Sequence, residues 1–490
     1  MNAFTQFRSV GGGRLWAGWC WVVLAVACAI GTAGCARSGG GGGGVDGNAN
    51  ANDNAADDGA PANFVEVPAP LSGDNPTYPL QAAEVPEPGE GVTDTRLGTT
   101  QTRVVQTEGL RHEYSRHDPF NVDQSMIVLR YFSEGEWRVY RTQGVPYDQE
   151  ANLVTTLDME EPRWDPDDPD VIWGLRDFLV VTVNVRSGQT TTVKDFAQDA
   201  TIGPILAANP DLYRVTMKDE GEPCKTKRFW ALLLQGSNED YRVRYILTWD
   251  RLNDAILGRY TIEADQADID WVGMSVNGNW VLIGGSEANN GDLAGLVMAD
   301  KELTQFHRLD YATAHADVGL DSDGNEVIVM QGIRTDYIDM IPLDLNTQPI
   351  PEGSDSYDNT GRTPLMRLFY ASESPQGLNS GVHISCNVPG WCVVSTTTEP
   401  DLPEQNWLDR TITLVRLDAD RPRVFYLAKV YGTTATGAFW EETHAAITND
   451  GARVIWATNW NQNVGDERVW NVELDLPAGW MTTLTLNDQP

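Results

Sequence analysis

Four segments of this chain share one pattern, in which a tight turn rich in Asp or Asn leads into an apolar run. Three of the turns contain Asn-Gly or Asp-Gly, and the fourth contains Asn-Val-Asp. Two alternating apolar runs joined by Asn-Gly or Asp-Gly are the strongest short-range indication of a β-hairpin, because both central residues of the turn need positive φ. The four turns lie at 121–123, 277–278, 323–324 and 450–451.

Hairpins that recur at intervals of about 40 to 60 residues, with several short strands in each unit, are typical of β-propeller blades. We therefore predict an all-β chain folded as a β-propeller. Seven blades are expected, and six or eight remain open because the third blade and a segment at 347–380 are irregular. The predicted blades span residues 111–143, 161–196, 200–262, 268–310, 311–345, 382–431 and 444–476.

Two further segments have expected roles in this architecture. Residues 92–106 are expected to supply the outer strand that closes the ring, since a closed ring leaves no long sheet edge unpaired. The insertion at 347–380 is longer than an ordinary hairpin connection. Insertions of this kind predict a binding loop or a lid.

The N-terminus predicts the compartment. Arg8 and Arg14 precede the apolar residues 15–30, and small residues then lead to Cys35. This is the layout of a secretory signal peptide, and the apolar stretch is shorter than the roughly 20 residues that a membrane-spanning helix needs. The ending Thr32-Ala-Gly-Cys35 resembles a bacterial lipobox, whose cysteine is acylated and becomes the first mature residue. We expect an extracytoplasmic, lipid-anchored protein, with a soluble secreted form and an uncleaved anchor as the alternatives.

The composition after Cys35 predicts a tether. Residues 36–60 consist largely of Gly, Asn, Ala and Asp, which offer too few apolar side chains to offset the entropy cost of ordering. Prolines recur from Pro61 to Pro88, so the tether should stiffen before the folded part begins. Ala36, directly after the cysteine, resembles signals that favour the outer over the inner membrane. The expected organisation is a signal peptide at 1–34, a lipidated, disordered tether at 35–90 and a propeller domain at 91–490.

The charge of the chain limits its partners. It has 35 basic and 70 acidic residues, which gives a net charge of −35. Such a field repels phosphate backbones, and the sequence has no basic stripe with interleaved aromatic residues, so nucleic acid is not an expected partner. The expected partners are the membrane, through the lipid anchor, and a glycan or an envelope protein.

Cys386 and Cys392 flank a predicted hairpin loop, Val388-Pro-Gly390. A loop of this length places the two cysteines opposite each other, at a Cα separation that overlaps disulfide geometry. We predict a disulfide between them, with two buried free thiols as the alternative, and we expect Cys224 to be free. A metal pair is disfavoured because no Cys-x-x-Cys or histidine partner at zinc spacing lies nearby.

Three histidines, His315, His383 and His444, each stand just before an apolar run in three successive predicted blades. In a propeller that junction lies beside the central channel, so their side chains are expected to converge there. Glu441, Glu442 and Asp317 would add carboxylates, and imidazole with carboxylate suits manganese, zinc or iron. The alternative is that each histidine bonds a backbone carbonyl at the start of its blade.

The first blade carries a further candidate site at the same junction. Arg116 and His117 belong to the run 112–121, which is rich in charged and aromatic residues. With Asp317 they form a candidate ligand-binding set that faces a sugar acid. The alternative is that Arg116 and His117 bridge neighbouring blades.

The histidine and Asp-Gly motifs at 315–324, 383–385, 389–395 and 444–451 resemble those of bacterial TolB-like and oligogalacturonate-lyase-like propellers. The resemblance implies a seven-bladed propeller and, for the lyases, a manganese site of histidines and a glutamine that serves β-elimination of pectic fragments. The lyase motif Gln-x-x-His-x-His corresponds here to Glu441-Glu-Thr-His444-Ala-Ala446. A glutamate therefore replaces the glutamine and an alanine replaces the second histidine, while Glu441 and His444 remain candidate metal ligands.

Two functions are consistent with these features. The first hypothesis is a non-catalytic binding module at the cell envelope, which presents one face to a glycan or protein partner. The alternative is a metal-dependent lyase that acts on acidic oligosaccharides. The fold alone does not choose between them.

Overall fold

The computed structural model describes residues 64–486 except 73, 238–240, 333, 352–353, 369–381, 397–406, 433–438 and 462–467. The predicted signal peptide, Cys35 and the first part of the predicted tether lie outside the described residues. Within the part that is described, none of the helices combines the length and the apolar character needed to cross a membrane.

The described strands form seven antiparallel sheets, one for each blade of a propeller. This confirms the all-β prediction and settles the count at seven blades. The first strands of blades 5, 6 and 7 contact one another on the inside of the ring. Such contacts join β20 to β24 and β24 to β28.

The first three blades are regular four-stranded meanders. Blade 1 consists of β4 (Leu110–Arg111), β5 (Met126–Tyr131), β6 (Glu136–Arg141) and β7 (Leu153–Leu157). Blade 2 consists of β8 (Glu160–Trp164), β9 (Val171–Arg176), β10 (Leu179–Asn184) and β11 (Gln189–Asp195). Blade 3 consists of β12 (Leu212–Thr216), β13 (Phe229–Gly236), β14 (Val243–Asp250) and β15 (Ala255–Thr261).

The remaining blades follow the same order, and the last two gain strands from the N-terminal part of the described chain. Blade 4 consists of β16 (Ile269–Met274), β17 (Val281–Gly285), β18 (Leu296–Ala299) and β19 (Phe306–Asp310). Blade 5 consists of β20 (Ala316–Leu320), β21 (Glu326–Gly332), β22 (Tyr337–Pro342) and β23 (Thr363–Arg367). Blade 6 consists of β24 (Val382–Val388), β25 (Trp391–Thr396), β26 (Thr411–Arg416), β27 (Val424–Lys429) and β1 (Val65–Glu66). Blade 7 consists of β28 (Ala446–Ile447), β29 (Arg453–Thr458), β30 (Trp470–Asp475), β3 (Thr99–Arg103) and β2 (Gly91–Asp94).

Helices are short and lie between or after the blades. The two α-helices are α1 (Gly203–Ala208) and α2 (Trp480–Leu486). Trp480 of α2 is buried against blades 6 and 7, and its indole nitrogen donates to the carbonyl of Gly451 at 2.8 Å. Single turns of 3-10 helix occur at Glu150–Asn152, Phe196–Gln198, Ala264–Gln266, Gly291–Leu293 and Phe439–Glu441.

The turns that revealed the blades have the predicted positive φ at glycine, whereas the residue before each glycine does not have the positive φ that was also expected. Gly278, Gly324 and Gly451 have φ of 75°, 85° and 69°, which side chains with a Cβ rarely adopt. At the Asn-Val-Asp turn the residue with positive φ is Gln124, at 60°. Each turn therefore connects an inner strand to the next strand of its blade, as the sequence predicts.

The ring is closed by strands from both ends of the domain. β3 pairs with β30, with Thr102 opposite Glu473 and Arg103 opposite Val472. The prediction that residues 92–106 supply the closing strand is confirmed. Closure in this way covers the outer edge of β30, which is otherwise a template for unwanted strand pairing.

Residues 64–90 other than 73, which the sequence places in the disordered tether, lie along blades 6 and 7, and the prediction is corrected for them because they pack against the propeller. β1 pairs with β27, and the N–H of Val67 donates to the carbonyl of Val424 at 2.8 Å. The Trp460 indole donates to the carbonyl of Ala83 at 3.1 Å. We call residues 64–90 the strap, because they cover the outer edge of blade 6 and reach the closing strands of blade 7.

The segment 347–380, predicted to be a binding loop or lid, contains an ordinary blade strand, so the lid prediction is corrected for its middle part. β23 pairs with β22 as the outer strand of blade 5. Pro364 within it discourages a strand assignment from sequence, but on an outer strand its missing N–H costs no ladder bond. Residues 369–381 of the insertion lie outside the described residues.

Cys386 and Cys392 form a disulfide between β24 and β25, with a Cα–Cα distance of 4.2 Å. Gly390 in the connecting turn has φ of 79°. Cys224 is buried and carries a free thiol. The predicted bridge and the predicted free cysteine are both present. The predicted three-residue loop is corrected, because Val388 pairs with Trp391 and the register shifts between Ser385 and Val388.

Candidate functional site

Residues 112–117 run inside the ring, directly after the inner strand of blade 1. All six are buried, with between 0% and 5% of each residue exposed. We call them the central segment. The sequence His-Glu-Tyr-Ser-Arg-His is unusually polar for such a position, so its polar atoms need partners inside the protein.

The central segment finds partners on blades 2, 3 and 4. Glu113 accepts a hydrogen bond from the Arg163 guanidinium of β8 at 2.7 Å. Nδ1 of His117 and the Glu222 carboxylate, just beyond β12, lie 2.8 Å apart. Arg116 lies over the ring of Trp271 on β16, 4.3 Å from its centroid.

It also contacts blades 5, 6 and 7. The Tyr114 hydroxyl and Nδ1 of His315 share a hydrogen bond of 2.9 Å, and the Tyr114 ring meets the His383 ring edge-on at 5.4 Å. Nε2 of His112 donates to the carbonyl of His444 at 2.6 Å. The central segment thus contacts all six other blades, and it connects the histidine cluster to the opposite side of the ring.

The structure brings the three predicted histidines together. The ring centroids of His315 and His383 are 4.5 Å apart, and those of His383 and His444 are 3.9 Å apart. The carboxylate that joins them is Glu442, which is hydrogen-bonded to Nε2 of His383. One ligand atom each from His383, Glu442 and His444 lie within 4.8 Å of one another. We call His315, His383, His444 and Glu442 the histidine cluster.

Glu441, which the sequence favoured as a metal ligand, is buried beside the cluster without belonging to this set of donor atoms. It ends a single turn of 3-10 helix, Phe439–Glu441, that leads into the cluster. The backbone beyond that turn points the side chain of Glu442 at His383. Two adjacent glutamates offer the same chemistry, so the sequence alone does not choose between them.

Arg111, a residue that the sequence did not single out, holds the segment 439–444 in place. Its guanidinium donates to the carbonyl of Trp440 at 2.6 Å and to Nδ1 of His444 at 2.8 Å. It is completely buried. His444 itself has a left-handed backbone, with φ of 46°. Strained residues of this kind persist where the surrounding structure fixes them and are common at functional sites.

The environment keeps the cluster imidazoles neutral. Burial lowers the pKa of His315 to about 3 and holds the pKa values of His383 and His444 well below the usual range for histidine. Burial also raises the pKa of the Glu442 carboxyl to about 7. Neutral imidazole is the form that binds a metal ion.

The donor set fits a divalent transition metal. Imidazole nitrogens with one carboxylate suit manganese, zinc or iron. Nδ1 of His383 and Nε2 of His444 are buried, and neither has a hydrogen-bond partner among the described residues. Buried polar atoms are rarely left unpaired, so these nitrogens point to a bound group.

The predicted ligand-binding residues Arg116, His117 and Asp317 are engaged within the protein. Arg116 pairs with Glu220 at 2.9 Å, and His117 contacts Glu222. The Asp317 carboxylate accepts the N–H of Cys386 at 2.6 Å, which ties β20 to β24. These contacts bridge blades, and a direct role in ligand binding stays a prediction.

No known family model and no curated protein sequence matches this chain. An oligogalacturonate lyase in complex with manganese is 11% identical, over 80% of this chain and 96% of that one, with a TM-score of 0.49. The oligogalacturonate lyase of Vibrio parahaemolyticus is also 11% identical, over 80% and 97%, with a TM-score of 0.49. A chain of the mitotic checkpoint complex is 11% identical, over 82% and 99%, with a TM-score of 0.40. At this identity these similarities concern the fold alone.

Proposed function

We propose that this protein is a lipid-anchored, extracytoplasmic propeller that binds one divalent transition metal ion at the histidine cluster and acts there as a binding module for a glycan or an envelope protein. One observation carries the proposal. Three neutral imidazoles and a carboxylate converge inside the ring, and two of the imidazole nitrogens are buried without a hydrogen-bond partner among the described residues. His383, His444 and Glu442 would hold the metal, and His315 lies next to them.

The binding role is favoured over catalysis by the way the surrounding charges are used. Arg111 is bonded to His444 and to the carbonyl of Trp440, and Arg116 is paired with Glu220, so both cations beside the cluster are engaged within the protein. A site that turns over an acidic substrate needs a cation that is available to the substrate. The ion would therefore serve to hold the ring's interior together and to present the face formed by the segment 439–444.

A metal-dependent lyase acting on acidic oligosaccharides is the second candidate, and one residue favours it. His315 is the partly exposed histidine of the cluster and is neutral near pH 7, because burial lowers its pKa to about 3. A base with so low a pKa is weak, so the bound metal ion would have to acidify the sugar acid before His315 accepts its proton. This candidate requires that the substrate reach His315.

Metal content of the purified protein, measured by elemental mass spectrometry, tests the proposal first. One equivalent of manganese, zinc or iron is expected, together with a rise in melting temperature when the metal is added back to stripped protein. Absence of both results contradicts the metal site. A screen for unsaturated products on uronic-acid polymers then distinguishes the two candidate functions. Product formation that depends on His315 supports the lyase. Inactivity of the metal-loaded protein supports the binding module.

A further inference from the structure

The bond between Arg111 and His444 fixes where the proton of the imidazole sits. A guanidinium carries only donors and stays charged, so Nδ1 of His444 must accept the hydrogen bond of 2.8 Å. A neutral imidazole has one lone pair and one N–H. The lone pair of His444 is therefore used by Arg111, and the hydrogen is on Nε2.

This arrangement opposes metal binding by the same residue. Histidines that ligate a metal normally donate their other ring N–H to a carbonyl or a carboxylate. The corresponding neighbour of His444 is a donor instead. The lone pair of Nδ1 is occupied by Arg111, and Nε2 carries the hydrogen. Neither ring nitrogen therefore offers the ion a lone pair in this arrangement.

Arg111 has other acceptors that would keep it in place if His444 were released. Its Nε donates to the carbonyl of His112 at 3.0 Å, and its guanidinium donates to the carbonyl of Trp440 at 2.6 Å. It also lies over the Trp440 ring, 5.4 Å from the centroid. The bond to His444 can therefore be given up without leaving the buried guanidinium unpaired.

We infer that Arg111 competes with the metal ion for His444. In the metal-free protein the guanidinium holds the lone pair of His444, and metal uptake requires this bond to break while the ring changes tautomer. This inference rests on the proposed metal site.

Calorimetric titration of the full chain with Zn²⁺ tests the competition. Arg111→Gln should bind at least tenfold more tightly than the wild type, because the amide no longer supplies a fixed positive charge to His444. The matched control is Arg130→Gln, since the Arg130 guanidinium also lies over Trp440, at 6.0 Å, and is not bonded to His444. Its affinity should stay within threefold of the wild type. If the wild type binds Zn²⁺ and Arg111→Gln binds it equally or more weakly, the inference is overturned and the metal site stands. If neither protein binds Zn²⁺, the inference and the metal site are both overturned.

A second measurement uses the wild type and does not depend on how a variant folds. Protein labelled with ¹⁵N at its six histidines reports the tautomer of each ring by long-range ¹H–¹⁵N correlation, with His444→Gln to assign the signal. His444 should carry its hydrogen on Nε2 without metal and lose that pattern when Zn²⁺ is bound. A hydrogen on Nδ1 in the metal-free protein, or an unchanged pattern at full zinc occupancy, overturns the inference.

Discussion

Arg111 and His444 are 333 residues apart in sequence and meet at 2.8 Å inside the ring. Arg111 ends the inner strand of blade 1, and His444 precedes the inner strand of blade 7. Blades 1 and 7 are the ends of the domain and become neighbours only when the ring closes. The histidine cluster is therefore completed at the seam of the propeller, next to the strands that close it.

Glutamine substitutions at the two adjacent glutamates distinguish the ligand that the sequence favoured from the one in the cluster. Glu442→Gln should weaken binding of a divalent metal by at least about tenfold, because it removes the only cluster carboxylate and its bond to His383. Glu441→Gln is the control and should bind nearly as well as the wild type. The measurement is the metal-induced rise in melting temperature. The opposite order of effects would identify Glu441 as the ligand.

Truncation separates the strap from the tether before it. Deleting residues 64–90 should lower the melting temperature by several degrees and promote aggregation, because it exposes the edge of β27 and removes the buried Val67 from the core. The burial of Val67 alone is worth about 2 kcal/mol. Deleting residues 36–60 should leave the melting temperature unchanged. Equal stability of both deletions would show that the strap does not contribute to the fold.

Loss of the disulfide should destabilise blade 6 moderately. Cys392 lies six positions after Cys386, and closing so short a loop is worth about 2 kcal/mol in the chain-entropy model. Cys386→Ser with Cys392→Ser should lower the free energy of unfolding by about that amount in urea, relative to the oxidised wild type. Non-reducing peptide mapping provides the check on the starting material, which should contain the linked pair and a Cys224 that reacts with alkylating agents only after unfolding.

The buried carboxyl of Glu473 predicts a pH dependence of stability. Burial raises its pKa to about 7, and the Tyr147 hydroxyl donates to it at 2.8 Å. Since the folded-state pKa lies above the unfolded one, the folded protein binds the proton more tightly, and this contribution to stability is lost as the pH rises from about 4.5 to 7. Glutamine does not titrate, so the stability of Glu473→Gln should not decrease over this pH range for that reason. Relative to the wild type, the variant should gain up to about 3 kcal/mol between pH 5 and pH 8.

An exposed carboxylate serves as the control for this pH effect. Glu108 pairs with Arg468 at the surface at 3.0 Å, and such pairs contribute little. Glu108→Gln should shift the unfolding free energy by the same small amount at both pH values. A Glu473→Gln curve parallel to that of the wild type would show that Glu473 does not titrate between the two.

Lipidation at Cys35 stays a prediction, because this residue lies outside the described part of the chain. Cys35→Ala should block acylation and move the protein from the detergent phase to the aqueous phase in a partition experiment. The wild type should also label with a radioactive fatty acid. A wild-type protein that partitions as a soluble protein would contradict the anchor, while leaving the propeller and its metal site unaffected.

Some features could be predicted from the sequence because they depend on a few neighbouring residues. The turns at Gly278, Gly324 and Gly451 need positive φ, so each marks a hairpin. The two cysteines lie on the two strands of one hairpin, so their disulfide likewise depends on residues near in sequence. The convergence of the three histidines followed from the same rule, since each stands at the same point of its blade.

Other features were decided only by the tertiary structure. Arg111 has no sequence pattern that marks it, and the polar run 112–117 does not reveal its partners, because these lie on other blades and are brought close only by closure of the ring. The choice of Glu442 over Glu441 depends on one turn of backbone, and the strand Thr363–Arg367 depends on an edge position that tolerates Pro364. Local conformational preference thus determined the blades of this protein, whereas contacts between residues distant in sequence determined what lies at their centre.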